Sequence, residues 1–311
     1  MAWEYERLFD VQAREEADLV SWTDQPTAVR VGRMGYRTRT TIAGDRLEAE
    51  VFPIFGRKQA AMAREKKTHQ TREAQERANH ARSIRKMILL AEANFGREDI
   101  HLTLTYGEEE PDYDRCQKDI RNFLARVKRA REKRGLSELK YIYVIEGGER
   151  GQRIHAHFLM NGGISREELE AIWKKSAAGG GYANADRLQP GNTGLDAIVT
   201  YMAKQLWARG MKRTGKEDEI EEIARFMTRH PGKRRKWSRS HNLKLPKVRT
   251  SDSRCSNARV KRIAQDFRND ARAEMEKVYP GYSFVRCAVY YSDVIDGVFI
   301  RCVMRRKGVG S

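Results

Sequence analysis

The chain has 311 residues, 40% of them hydrophobic, enough to bury one large core or two smaller ones. Lys and Arg number 61 against 43 Asp and Glu, leaving a net charge of +18. That excess points to a polyanionic partner, nucleic acid before a membrane surface, and the lack of any apolar run of bilayer length argues against a spanning protein.

The first residues, MAWEYERLFD, lack the basic-then-apolar form of a signal peptide. Cys116, Cys255, Cys287 and Cys302 include no C-x-x-C spacing, so neither a disulfide framework nor a zinc site is expected, and a reducing cytoplasm is the expected compartment. A short helical pattern runs through Val11–Trp22. Val29–Ile42 and Arg46–Phe55 alternate as two strands around Ala43-Gly44-Asp45, a hairpin. Arg30, Arg33, Arg37 and Arg39 point outward from it, to DNA or to solvent. Arg57–Ala93 is helix-forming. Its basic first half is a phosphate-tracking arm or a connector; its second half gains Ile84, Met87, Ile88 and Ala91 and is expected to pack on the sheet that follows.

Asn94-Phe95-Gly96 stops that helix. Asp99–Tyr106 is a strand with Ile100, Leu102, Leu104 and Tyr106 on one face and His101, Thr103 and Thr105 on the other. His101 reads as a strand-edge histidine or as one that approaches a metal. Pro111–Gly135 is a helix with Ile120, Phe123, Leu124 and Val127 on its core face and a basic outer face. Tyr141–Asn161, YIYVIEGGERGQRIHAHFLMN, forms two strands around the polar, glycine-rich turn Gly147–Gln152. Period-two alternation puts His155 and His157 on one face and Ala156 on the other, while Glu146 closes the preceding strand across the turn. Two imidazoles and a carboxylate converging in this way outline a divalent-cation site, although an H-x-H pair alone also suits a solvated strand face.

A capping box at Ser165 and Glu168 opens a helix with Leu169, Ile172 and Trp173 facing the core. Gly179-Gly180-Gly181 is a loop, and Tyr182–Gln189 a short edge strand. Thr193–Trp207 is a helix with Asn192 or Thr193 as cap and Leu195, Ile198, Val199, Met202 and Leu206 as its apolar stripe. Tyr201 and Lys204, three apart, share a face of it, a spacing that equally describes a core-edge aromatic beside a solvated amine. Gly210–Lys216 lacks the Ser or Thr and the preceding strand of a phosphate loop, so no ATPase module is read. Arg229–Arg249 interleaves Arg234, Arg235, Lys236 and Arg239 with Trp237, a composition that suits single-stranded DNA or a basic linker. Ala258–Val278 reads as a helix, and Tyr282–Tyr291 with Val298–Met304 as a terminal hairpin. This order suits an α+β fold, an antiparallel sheet covered by helices.

Taken together, His155-Ala156-His157, Tyr201-x-x-Lys204 and a first motif HLTLTY at His101–Tyr106 resemble the HUH endonuclease superfamily. Asn94–Tyr106 and Arg234–Pro246 further resemble rolling-circle replication initiators of small phages and prophages, the group related to the filamentous-phage gene II protein. The resemblance spans roughly Arg57 to Pro246. It implies a five-stranded antiparallel sheet with the site on its open face. It further implies that Glu146, His155 and His157 hold one Mg²⁺ or Mn²⁺, and that Tyr201 attacks a scissile phosphate, forms a 5′-phosphotyrosine and frees a 3′ hydroxyl. Lys204 would lend positive charge to the phenolate or the phosphate. Thr103 and Thr105, on the site face, and Arg234, Arg235, Lys236, Trp237 and Arg239 are the expected DNA contacts. The expected partners are single-stranded origin DNA, a host helicase and a host polymerase, and the oligomeric state stays open. The expected regions are an N-terminal hairpin and basic helix (1–97), the endonuclease domain (98–210) and a basic linker with a C-terminal α/β extension (211–311). A relaxase or transposase of the same superfamily, a non-haem iron oxygenase, and a non-catalytic DNA-binding regulator are the rival readings.

Overall fold

The hairpins at the two ends of the sequence meet in a single antiparallel sheet. β1 (Tyr36–Ala43) and β2 (Arg46–Pro53) lie beside β8 (Lys247–Ser251), β9 (Tyr282–Tyr291) and β10 (Val298–Arg306) in the order β8-β1-β2-β10-β9. The computed structural model describes residues 35–56, 72–107, 111–147, 153–177, 179–208, 237–266, 270–291 and 297–308. The chain divides into unit 1, Met1–Ala93 with Leu245–Ser311, and unit 2, Asn94–Lys244. Segments read as separate N- and C-terminal regions therefore share unit 1.

Alternation sorts the unit 1 sheet into two different interiors. Leu47, Ala49 and Val51 of β2 and Ile300, Cys302 and Met304 of β10 face Val260 and Ile263 of α5 (Asn257–Gln265) and Met275 of α6 (Asp270–Val278). Helix α1 (Arg72–Asn94), expected on the sheet that follows it in the sequence, makes its ion pairs with the other face of the unit 1 sheet. Arg85 pairs with Glu48 and Glu50, and Glu92 with Arg305. A Cβ on Gly44, at φ 56, would collide with the carbonyl oxygen of Glu92, so this turn requires glycine. Arg39, expected on an outward face, binds the buried Glu50, while Arg37 binds Asp252 at 2.6 Å. Burial raises the carboxyl of Glu48, but Arg85, Arg301 and Arg46 outweigh it and hold the group well below the usual range; Arg85 and Arg39 do the same for Glu50. The helix expected over Ala258–Val278 is two: Asp266 leaves helical geometry at φ −140, ψ 77, and α6 begins at Asp270. Arg30, Arg33, the Val11–Trp22 pattern and Gly210–Lys216 lie outside the described residues.

Unit 2 is built from β3 (Ile100–Tyr106), α2 (Tyr113–Lys133), β4 (Tyr141–Glu146), β5 (His155–Met160), α3 (Arg166–Lys174), β6 (Gly181–Arg187), α4 (Asp196–Ala208) and β7 (Ser238–Arg239). Its antiparallel sheet runs β6-β3-β5-β4-β7. The chain is thus α+β, with five-stranded antiparallel sheets. Leu102, Leu104, Ala156 and Phe158 face Ile120, Phe123 and Val127 of α2 and Leu169 and Trp173 of α3. Asp112 caps α2 by accepting from the Arg115 amide, and Ser165 caps α3 by accepting from the Glu168 amide. The Trp173 indole donates to the Thr105 carbonyl at 2.8 Å, directly over Gly181, where a Cβ would collide with the indole nitrogen. Helix α4 packs against β4 on the opposite sheet face, burying Leu195, Val199, Met202 and Ala203. It begins at Asp196, not at Thr193, because Gly191 and Gly194 exchange backbone hydrogen bonds in a turn with Gly194 at φ 72. Among the described residues no helix is long and apolar enough to cross a membrane.

Candidate metal and tyrosine site

Register gathers the site. Glu146 of β4 stands opposite His155 of β5, and His155 opposite Thr105 of β3; two residues along, Val144, His157 and Thr103 form the next row on the same face. Residues directly opposite in antiparallel strands share a face, so the carboxylate and both imidazoles project to the side away from the unit 2 core. Glu146 Oε2 lies 3.3 Å from His155 Nε2 and 3.6 Å from His157 Nε2. The candidate ligand atoms of the three residues all lie within 4.8 Å of one another.

Those approaches are not hydrogen bonds. Glu146 Oε1 and Oε2 and His157 Nε2 are buried with no hydrogen-bond partner, a costly state for facing polar atoms. A divalent cation satisfies all of them at once, and two imidazole nitrogens with a carboxylate suit Mn²⁺; Mg²⁺ prefers an all-oxygen set. The donor set therefore fits the metal that the sequence implies.

Both imidazoles are oriented from behind. His155 Nδ1 lies 2.8 Å from the Arg153 carbonyl, which can only accept, so Nδ1 carries a hydrogen and Nε2 is the atom turned toward Glu146. His157 Nδ1 lies 3.0 Å from Thr103 Oγ1. The His101 ring stacks on His157 with centroids 5.4 Å apart and planes 11° apart. His101 is outside the ligand cluster; burial lowers its pKa against the opposing charge of Asp186, which sits opposite it on β6. Burial, then His155 and His101, push His157 down to about 4, so its ring is neutral at pH 7, the form able to bind a cation.

Tyr201 of α4 faces the same cluster. Its ring centroid is 5.7 Å from that of His157 at an interplanar angle of 74°, and the residue is 52% exposed. A cleft of about 390 Å³ lined by Gly191, Thr193, Gly194, Ala197 and Ile198 runs up to it. Lys204 is on the same helix, but its side chain lies outside what the structure describes.

The expected DNA contacts separate. Thr103 is engaged with His157, and Thr105 Oγ1 donates to the Tyr182 carbonyl at 3.3 Å. Arg239 stands opposite Ile142 in β7, hence on the same face as the metal cluster, with half-buried Trp237 two residues before it. The Ser240 amide and hydroxyl pair with Tyr141 and fix this strand, a two-residue element too short for any periodicity to announce. Arg234, Arg235 and Lys236 lie outside the described residues. In the sequence, strand parity puts Thr103 on the site face as a DNA contact and leaves His101 open between a strand-edge histidine and one near the metal; the contact of Thr103 with His157 and the stacking of His101 on it are not read there.

No curated protein and no solved structure matches the chain. Residues 99–230, which contain β3, the β4–β5 hairpin and α4, match the family model of replication-associated proteins of the ORF2 and gene II type, so this segment is similar to replication proteins of that family.

Proposed function

We propose that the protein initiates rolling-circle replication by nicking and rejoining single-stranded origin DNA at a specific sequence through a 5′-phosphotyrosine intermediate. The observation that carries this reading is the approach of the Tyr201 ring to His157, on the side of the sheet to which Glu146, His155 and His157 project. A bound Mg²⁺ or Mn²⁺, held by those three residues, supplies charge stabilisation at the scissile phosphate.

The Tyr201 phenolic oxygen bonds to phosphorus as the bond to the 3′ oxygen breaks. The phenolic proton leaves, and the 3′ oxygen departs as a hydroxyl that primes a polymerase. Energy is conserved in the phosphotyrosine, so the reverse step rejoins the strand. A tyrosine ordinarily holds its proton to about pH 10, so the phenol needs a cation nearby, and Lys204 one turn on is our candidate. Arg239 and Trp237 hold the flanking strand through phosphate and base. Strand separation falls to a host helicase, and the reaction belongs in the cytoplasm with the replicating DNA.

Incubation with labelled single-stranded origin DNA and Mn²⁺, followed by a denaturing gel, tests this. A slow-migrating protein–DNA adduct, absent with EDTA and absent in Tyr201→Phe, is expected. Binding without an adduct in the wild type would instead identify a non-catalytic regulator.

A further inference from the structure

Among the described residues, unit 2 exposes two large aromatic or apolar side chains, and both belong to the metal-site face: Tyr201 at 52% and Tyr182 at 64%. Tyr182 is not part of the chemistry assigned above. It lies on β6, opposite Thr105, which lies opposite His155, which lies opposite Glu146. The four residues form one row across the sheet, with the carboxylate at one end and the phenol ring at the other. Neighbouring strands are about 4.8 Å apart, so Tyr182 stands about 10 Å from His155 on the same face.

The backbone that carries this ring is firmly held. Thr105 Oγ1 donates to the Tyr182 carbonyl, and Gly181, the residue before it, is wedged beneath the Trp173 indole and the Thr105 carbonyl. An exposed edge strand would ordinarily carry a charged or small polar residue here; an outward-facing ring on a held backbone is what a nucleobase stacks on. The chain's +18 charge favours a polyanionic strand over an apolar partner.

We infer that Tyr182 is a base-stacking platform for single-stranded DNA, holding a nucleotide near the scissile phosphate on the side of the site away from α4. The inference rests on the nicking reading and adds the surface along which the strand is laid. Stacking accepts any base, so Tyr182 sets the path of the strand and leaves sequence choice to other groups.

The test uses the full chain carrying Tyr201→Phe, which stops the reaction, and a poly-thymidine strand with interspersed 2-aminopurine. Anisotropy reports binding, and quenching of 2-aminopurine reports stacking. Adding Tyr182→Ala is expected to weaken single-strand binding about 5- to 150-fold and to relieve part of the quench. Adding Tyr182→Phe, which keeps the ring, is expected to retain both. If Tyr182→Ala binds and quenches like its parent, the platform is overturned while the nicking reading stands. If the parent itself binds single strands no better than duplex, the nicking reading falls together with the platform.

Discussion

Thr103 and His157 face each other across the β3–β5 ladder, with Oγ1 3.0 Å from Nδ1. That contact at Nδ1 orients the ring and turns Nε2 toward Glu146. Groups that orient a metal-binding imidazole in this way contribute about 10- to 100-fold in metal affinity. Thr103→Val, nearly isosteric, is expected to weaken Mn²⁺ binding by that factor in calorimetric titration, and Thr103→Ser to keep most of it. Equal affinity in the valine variant would show that the hydroxyl orients nothing.

In the proposed reaction Glu146 and His157 hold the cation, whereas phosphate contacts elsewhere on the face hold the strand. Glu146→Gln and His157→Ala are each expected to abolish adduct formation by at least about 100-fold while leaving salt-dependent DNA binding largely intact. Gel assays for the adduct and anisotropy for binding, run on the same preparations, separate the two effects. Parallel loss of both would contradict this division of labour.

Arg239 is the described basic residue that β7 carries onto the metal face. Neutralising one phosphate contact to a single strand lowers the slope of log affinity against log salt by about 0.7. Arg239→Gln is expected to show that change across a salt series, together with weaker binding at low salt. An unchanged slope would remove Arg239 from the DNA path.

Unit 1 is expected to be acid-sensitive. Glu48 and Glu50 are held well below the usual carboxyl range against the pull of burial, and Glu274 is pushed down to about 2 by its hydrogen bond to Arg262, with Arg259 and Lys277 assisting against burial. A carboxyl with a lowered folded-state pKa stabilises the fold above its unfolded value, near 4.5, and loses that contribution as pH falls through the folded one. The melting temperature should therefore drop progressively below about pH 4.5. Glu48→Gln leaves Arg46, Arg85 and Arg301 facing a neutral amide and is expected to cost about 3–5 kcal/mol at pH 7 by chemical denaturation.

The site was far more legible in the sequence than the frame around unit 1. Period-two alternation in a short hairpin leaves little freedom, so the shared face of Glu146, His155 and His157 could be read without coordinates. Tyr201 was legible as a helix residue, but only tertiary packing of α4 on β4 brings it to His157. The pairing of β2 with β10 joins segments some 250 positions apart and leaves no local trace, as the contact of Arg301 with Glu48 across 253 positions illustrates. Alternation likewise cannot tell a solvated polar face from one covered by a helix. Arg39 therefore read as outward although its side chain is 11% exposed and its partner Glu50 is fully covered. The stripe Ile84, Met87, Ile88 announced that α1 packs, without saying on which sheet.

The strand order β8-β1-β2-β10-β9 has a consequence for biosynthesis. Unit 2 is encoded between the two segments of unit 1, so a ribosome has released all five of its strands while the other sheet still possesses only its first hairpin. β10, which sits between β2 and β9, is made after both. The nascent chain thus holds Arg46, Glu48 and Glu50 on an open edge until β10 emerges, by which point every strand of the sheet that carries Glu146, His155 and His157 has already left the ribosome.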